Sequence, residues 1–255
     1  MKIDLKNCNV VITGGSDGIG NSLARSFIAE GSRVLITGRD KTRLVRAAQA
    51  TPGLEVLVND VSSREAREEL AQYIAEHMPK VNILINNAGF QRRISLAEDS
   101  APWNERQNEI DTLLSGPIHL SDLILPLMLK HGQQALIANV TSGGAYIPQP
   151  FAPVYSACKA ALHSYTVNLR HALSQTRCRV VEIIPPAVKT SLAGPELTHG
   201  VPLDEFSDAV FEALIHNEFD EIGFGMTATP EFNDAKKTYK GMFAAFASRF
   251  DVKIY

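Results

Sequence analysis

Asn9-Val10-Val11-Ile12-Thr13-Gly14-Gly15-Ser16-Asp17-Gly18-Ile19-Gly20 passes from a β-branched run through a glycine-rich turn into a segment of helical periodicity. The composition of Asn9–Thr13 is that of a buried strand. Ile19, Leu23, Phe27 and Ile28 share one side of a helix predicted over Gly18–Glu30, and Gly31 is its natural cap. Glycines between such a strand and helix let the chain turn tightly and bring backbone N–H groups close to a phosphate. The helix amino terminus adds the positive end of its dipole. The spacing Gly14, Gly18, Gly20 differs from the commonest dinucleotide fingerprint.

Outward from this unit the pattern repeats. Strands are predicted at Arg33–Thr37, Glu55–Val58, Val81–Asn86, Gln134–Val140, Arg179–Ile184 and Glu221–Gly225. Between them, helices are predicted at Lys41–Gln49, from a Ser62/Glu65 capping box to near His77, at Trp103–Leu129, Pro153–Leu173 and Leu203–Asn217, with a terminal helix at Glu231–Phe250. Strand alternating with helix predicts an α/β fold: a doubly wound parallel sheet with helices on both faces, in one domain over residues 1–255. The Gly- and Pro-rich stretch 190–202 follows the carboxyl end of a strand, where such folds place substrates, and reads as a substrate loop or as an ordinary connection.

The strand ends carry the cofactor signals. An acidic residue after the second strand binds the ribose hydroxyl of NAD, whereas an arginine accommodates the extra phosphate of NADP. Gly38-Arg39-Asp40 stands there. Arg39 can grip a phosphate bidentately, and Asp40 reads as a cap for the next helix, so NADP(H) is favoured over NAD(H). Asp17 argues the other way, because a carboxylate in the glycine turn repels phosphate. Asp60-Val61 follows the third strand; Asp60 can accept from an adenine amino group, cap the next helix, or both. Asn86-Asn87-Ala88-Gly89 ends the fourth strand with small residues that let backbone lie against a ribose.

Tyr155 and Lys159 lie one helical turn apart on one face. An ammonium beside a phenol favours the phenolate and lowers its pKa from about 10 toward the working pH, which makes Tyr155 a usable general acid or base. Ser142 ends an apolar run and is placed to hold a substrate oxygen for that phenol.

Composition sets outer bounds. The 45% hydrophobic and 21% charged residues are ordinary for a globular chain of 255 residues. A net charge of −3 argues against nucleic acid or an anionic membrane surface as the main partner. Cys8, Cys158 and Cys178 are too scattered for a disulfide framework or a metal cluster, and no metal site is predicted. No signal-peptide core and no run long enough to span a bilayer are read, which makes the cytoplasm the expected location.

Taken together, Thr13-Gly14…Gly18-Ile19-Gly20, Asp60-Val61, Asn86-Asn87-Ala88-Gly89, Ser142, Tyr155-Ser156-Ala157-Cys158-Lys159 and Pro185-Pro186…Thr190 resemble the classical short-chain dehydrogenase/reductase family over nearly the whole length. Tyr155–Leu173 and Ile183–Val188 are most similar to its bacterial DltE-like oxidoreductase branch. The resemblance implies an oxidoreductase that interconverts a carbonyl and an alcohol by hydride transfer. Tyr155 would exchange a proton with the substrate oxygen, Lys159 would lower the Tyr155 pKa and hold the nicotinamide ribose, and Ser142 would orient the carbonyl. Gly14, Ser16, Asp17, Gly18, Ile19, Arg39, Asp60, Val61, Asn87, Ala88, Gly89, Pro185, Val188 and Thr190 complete the implied cofactor contacts. Val188, through its backbone, and Thr190 would hold the carboxamide. A homodimer or homotetramer and a small-molecule substrate are implied too.

Two departures stand out. The family's fourth catalytic residue, an Asn that helps hold a water chain to the Lys, aligns with Leu113, which cannot hydrogen-bond. Proton relay is then slowed, or rerouted through Ser115 or backbone carbonyls. Leu113 is also the one feature that favours a different class, a nucleotide-binding redox sensor or scaffold with little turnover. Pro186 replaces the usual Gly, which implies a stiffer loop. Among other candidates, Gln91-Arg92-Arg93 reads as a solvated loop, with recognition of an anionic substrate as the second reading. His163 and His171 read as packing or surface residues, and Trp103 with Phe243, Phe246 and Phe250 as core or subunit interface.

Overall fold

Val10 and Ile12 face one side of strand β1 (Asn9–Thr13) and Val11 the other, and a separate apolar core buries each side. The same period of two runs through β4 (Ile83–Asn86) and β5 (Ala135–Val140), whose residues are all buried. With β2 (Arg33–Gly38), β3 (Glu55–Val58), β6 (Cys178–Ile184) and β7 (Glu221–Gly223) they form a seven-stranded parallel sheet. The order is β3-β2-β1-β4-β5-β6-β7. The computed structural model describes residues 4–130, 132–193, 200–216, 220–249 and 252–255.

Helices α1 (Gly18–Ala29) and α2 (Lys41–Ala50) cover one face of the sheet and α3 (Arg64–His77) the other. Helix α4 (Trp103–Ile110) runs through one wide turn (Asp111–Ser115) into α5 (Gly116–Lys130). Helix α5 and α6 (Pro153–Ala172) join α3, while α7 (Leu203–His216) joins α1 and α2. Phe27 of α1 meets Phe211 of α7 edge-on, with ring centres 5.0 Å apart. Helix α8 (Pro230–Ala247) follows a short 3₁₀ turn at Gly225–Ala228. This is the doubly wound architecture predicted, with a crevice where the strand order reverses between β1 and β4.

Several element boundaries differ, each for a local reason. Ser63, not Ser62, caps α3 by accepting from the Ala66 N–H, because Ser62 is held by Asp60. Strand β4 begins at Ile83, two residues after Val81, since Asn82 uses its side chain to bridge Asn9 and Gln134. Strand β7 stops at Gly223, where the Thr227 carbonyl packs so close that a side chain has no room. The terminal helix stops at Ala247, and Phe250 and Asn217 lie outside the described residues. The unbroken helix predicted over Trp103–Leu129 contains a π turn in which the Gly116 N–H reaches the Asp111 carbonyl five residues back. Pro117, next in the chain, has no N–H to give and in an α-helix would crowd the Leu113 carbonyl. Widening the turn relieves that conflict.

The expectation that no segment is long enough to span a bilayer needs correction. Trp103–Lys130 is 28 residues of continuous helix that meets that test by length and composition. Half of its most apolar window is nevertheless buried within the fold, with Leu120, Ile124 and Met128 packed against the sheet. Trp103 and Phe246 are mostly exposed rather than in a core, while Phe243 meets His171 edge-on.

Polar side chains between β4, β5 and α6 lock their relative positions. Asn139 is fully buried, accepts from the Asn86 amide at 2.8 Å and donates to Thr166 Oγ1 at 2.9 Å. Replacing one partner leaves the other buried without its bond, which costs about 1–3 kcal/mol. Asn139→Ala is expected to lower the unfolding free energy by about that amount; a urea denaturation curve with a reduced midpoint and unchanged slope checks it.

Candidate active site

Thr13 and Asn87 bring the two loops of the crevice together. The Asn87 amide donates to the Thr13 and Gly14 carbonyls at 3.0 and 3.1 Å, and Thr13 Oγ1 accepts from the Asn87 and Ala88 N–H groups, both at 3.0 Å. Gly14 has φ +64°, and a Cβ on it would stand 2.7 Å from the Ala88 Cα. A Cβ on Gly20 would run into the Asn87 amide. Glycine is therefore required at both positions by close approach of backbone, the feature expected of a phosphate turn.

Above this floor lies a cleft of about 1100 Å³. Gly14, Ser16, Asp17, Gly18, Ile19, Arg39, Asp60, Val61, Asn87, Ala88, Gly89, Ser142, Tyr155, Lys159, Pro185, Val188 and Thr190 all line it, so the predicted site residues converge. Asp40 caps α2 by accepting from the Arg43 N–H at 3.0 Å, as expected. Asp60 bonds Ser62 through its N–H (3.0 Å) and hydroxyl (2.8 Å), and lies 4.0 Å from Arg39. It forms a turn and is not the helix cap. Asp17 caps α1 through the Gly18 N–H at 2.7 Å. Its other oxygen takes the Ser191 hydroxyl at 2.6 Å and lies 3.5 Å from Arg43. Its repulsion toward phosphate is thus offset by a second arginine that sequence reasoning missed. The signal was one turn of spacing from Arg39, on the first turn of α2.

On the opposite side, Ser142 lies two residues beyond β5 and caps a short 3₁₀ turn by accepting from the Gly144 N–H at 3.0 Å. Its hydroxyl lies near enough to the Tyr155 phenol to favour the phenolate. Lys159 donates to the Val140 carbonyl at 2.7 Å and lies 5.6 Å from the centre of the Tyr155 ring. Both side chains are buried. The expectation that Lys159 lowers the Tyr155 pKa meets a stronger effect. Burial raises the phenol, Ser142 lowers it, and nearby Glu109 raises it further. Burial likewise pushes the Lys159 ammonium down to about 8, against a smaller upward pull from Cys158 and Glu182.

Leu113 is fully buried in the π turn, packs in one cluster with Ala152, Tyr155 and Cys158, and abuts Gly89. Ser115, the proposed detour for a proton, instead donates to Asp111 at 3.2 Å. Glu109, one turn before Leu113, is fully buried, and burial raises its pKa. Arg92 is not solvated: both its terminal nitrogens bond Asp99, at 3.0 and 2.9 Å. Of the predicted substrate loop, residues 194–199 lie outside the described residues, and the segments at its roots join through backbone bonds between 187–189 and Val201.

A buried polar group beneath the site was not anticipated. Glu182 of β6 accepts from Thr141 Oγ1 at 2.6 Å and Tyr146 OH at 3.2 Å, and lies 2.8 Å from His163 Nδ1. His163 is therefore neither plain packing nor surface. These bonds tie together β5, the turn after Ser142 and the helix that carries Tyr155 and Lys159. A carboxylate in the middle of an apolar strand was the available signal.

The sheet order and the cleft at its reversal define a dinucleotide-binding Rossmann-type fold. The chain belongs to the short chain dehydrogenase family, whose sequence profile matches residues 8–199. It is 40% identical over 188 residues to the uncharacterized oxidoreductase DltE of Bacillus subtilis, covering 74% of each chain. A short-chain dehydrogenase from Sphingobium yanoikuyae in complex with NADPH superposes with a TM-score of 0.82 at 22% identity, covering 96% of both chains. A short chain dehydrogenase/reductase from Burkholderia phymatum in complex with NAD gives 0.78 at 22% identity, covering 87% of this chain and 90% of the other. The protein is an oxidoreductase of the type that acts on CH–OH and C=O groups.

The Lys159 shift has a stability consequence. Between its folded pKa of about 8 and its ordinary 10.5, the unfolded chain holds the proton that the folded chain has lost. Folding is penalised below about 8, and the penalty is relieved as pH rises through that window. Relative to Lys159→Met, the wild-type chain is expected to gain about 2–3 kcal/mol between pH of about 7 and 10. Paired denaturation curves across that range measure it, and parallel pH dependence would contradict the desolvated ammonium.

Proposed function

We propose that the protein interconverts a small carbonyl compound and its alcohol by hydride transfer with NADP(H), with Tyr155 as the proton donor and acceptor. The observation that carries this reading is the convergence of the buried Ser142, Tyr155 and Lys159 in the same cleft as the glycine turn. A dinucleotide fits the residues present: the glycine turn and the amino terminus of α1 line the cleft, where backbone N–H groups can face a phosphate. The nicotinamide supplies or accepts the hydride.

The chain's own residues handle orientation and the proton. Ser142 holds the substrate oxygen against the phenol. A Tyr155 whose pKa is raised by burial is a neutral donor ready to protonate an oxygen as charge develops on it. The Lys159 ammonium, close to half-protonated near pH 8, stabilises the phenolate left behind and favours its formation more strongly as substrate excludes water. Val140 fixes that ammonium through its carbonyl. Leu113, against Tyr155 and Cys158, keeps this side of the phenol dry.

Preference for NADP(H) is supported by Arg39 and Arg43, both lining the cleft beside Asp40 and Asp60. Asp40 is engaged as a helix cap, which removes the carboxylate an NAD ribose would use. We read the chain as a cytoplasmic homodimer or homotetramer, a reading supported by the exposed Trp103 at the start of α4.

Tyr155→Phe is expected to reduce carbonyl-dependent NADPH oxidation by at least about 100-fold with NADPH affinity preserved, in keeping with the scale of general acid catalysis. Consumption at 340 nm over a panel of aldehydes and ketones tests it. Tight NADPH binding without consumption of any of them points instead to a sensor. Arg39→Ala with Arg43→Ala is expected to raise the KM for NADPH about 10- to 100-fold, as loss of charge-assisted bonds implies, with a much smaller change for NADH. Steady-state kinetics with both cofactors decide this.

A further inference from the structure

The two ends of the cleft differ in charge. Among the described residues, three carboxylates line it, all at the glycine-turn end and all engaged: Asp17 with Gly18, Ser191 and Arg43, Asp40 with the α2 backbone, and Asp60 with Ser62. Among the described lining residues near Tyr155, there is no carboxylate, and the walls include Ile147, Phe151, Met226 and Phe232. Among the described residues, the charged groups on this side are the buried Lys159 and the exposed Arg93.

Arg93 differs from its neighbour. Arg92 is neutralised by Asp99, whereas Arg93 has no acidic partner among the described residues. Its Nε donates to Gln91 Oε1 at 2.9 Å, and the Gln91 amide donates to Gln149 Oε1 at 2.9 Å. The guanidinium lies over the Phe151 ring, 5.5 Å from its centre. Gln149 and Phe151 belong to the segment that leads into α6, so this chain of contacts crosses from the loop after β4 to the approach to Tyr155. The ring and the Nε bond set the plane of the guanidinium. Both terminal Arg93 nitrogens and the Gln149 amide nitrogen are left without a protein partner among the described residues. A cation so held, in a cleft with apolar walls, concentrates anions and can bind one through two parallel N–H groups.

We propose that Arg93, aligned by Gln91 and Phe151 and assisted by Gln149, is an anion-binding subsite, and that the substrate is a carbonyl compound with an anionic terminus remote from the reacting carbon. The proposal rests on the carbonyl–alcohol reading and specifies its substrate class. Arg93 determines specificity and takes no part in proton or hydride transfer.

The test compares ω-oxo carboxylates with n-alkanals of equal chain length, at saturating NADPH, for the wild type, Arg93→Gln and Arg93→Lys. The wild type is expected to favour the charged member of each pair. Arg93→Gln should lower the charged-to-neutral ratio of kcat/KM about tenfold or more, the scale of a lost charge-assisted bond, with Arg93→Lys in between. A ratio equal in wild type and Arg93→Gln overturns the proposal. So does a variant that weakens NADPH binding and leaves the ratio unchanged, which assigns the arginine to the cofactor. If the wild type reduces no carbonyl compound at all, the carbonyl–alcohol reading fails on its own. The subsite is then judged by calorimetry of pentanoate and pentanamide binding to the NADP⁺ complex. Tighter binding of pentanoate that is lost in Arg93→Gln supports it, and equal binding of the two probes overturns it.

Discussion

The Asn87 side chain holds the glycine turn to the end of β4, and the geometry of the cleft depends on that connection. A parallel sheet opens a crevice where its strand order reverses, but a crevice is only as defined as the two loops that border it. Here one amide reaches two carbonyls of the turn, and one threonine hydroxyl receives two N–H groups from the opposite loop. The arrangement needs Gly20 beneath the amide and Gly14 beside Ala88. Local sequence, backbone path and binding surface are therefore a single constraint.

The opposite wall is held differently. Glu182, fully buried, gathers a threonine, a tyrosine and a histidine from three elements around one carboxylate. A carboxylate so deep is tolerated because each oxygen is hydrogen-bonded. It also counteracts the cost of burying the Lys159 ammonium, whose field it shares. Desolvation moves the proton affinities of the phenol and the amine apart, up for Tyr155 and down for Lys159, so that burial favours the neutral form of each. Proximity of the two groups alone would have predicted a lowered phenol.

The fold was readable because its signals are local and periodic. Val10, Val11 and Ile12 show a buried strand, Ile19 to Phe27 a helix, and Gly14 the turn between them. The convergence of Ser142, Tyr155 and Lys159 was readable too, since helical spacing and a strand end place them. What escaped depends on contacts between segments far apart in the chain. Arg43 matters only because Asp17, from a different loop, lies beside it. Arg92 and Arg93 are neighbours of identical type, and their different fates follow from Asp99 folding back on one and Phe151 lying under the other. Burial was the other unread quantity, because the sign of the Tyr155 shift follows from how much water the fold excludes.

The wide turn at Asp111–Ser115 works as an angular offset. One extra residue in a helix rotates everything before it by about 100° relative to everything after. Glu109 faces inward toward Arg92 while Leu120 and Ile124 remain on the sheet, two orientations that a regular helix of this length would not reconcile in the same way. Deleting a single residue here would leave the core stripe of α5 untouched yet swing α4 around its axis, turning Glu109 away from the loop after β4 whose Arg92 N–H it holds.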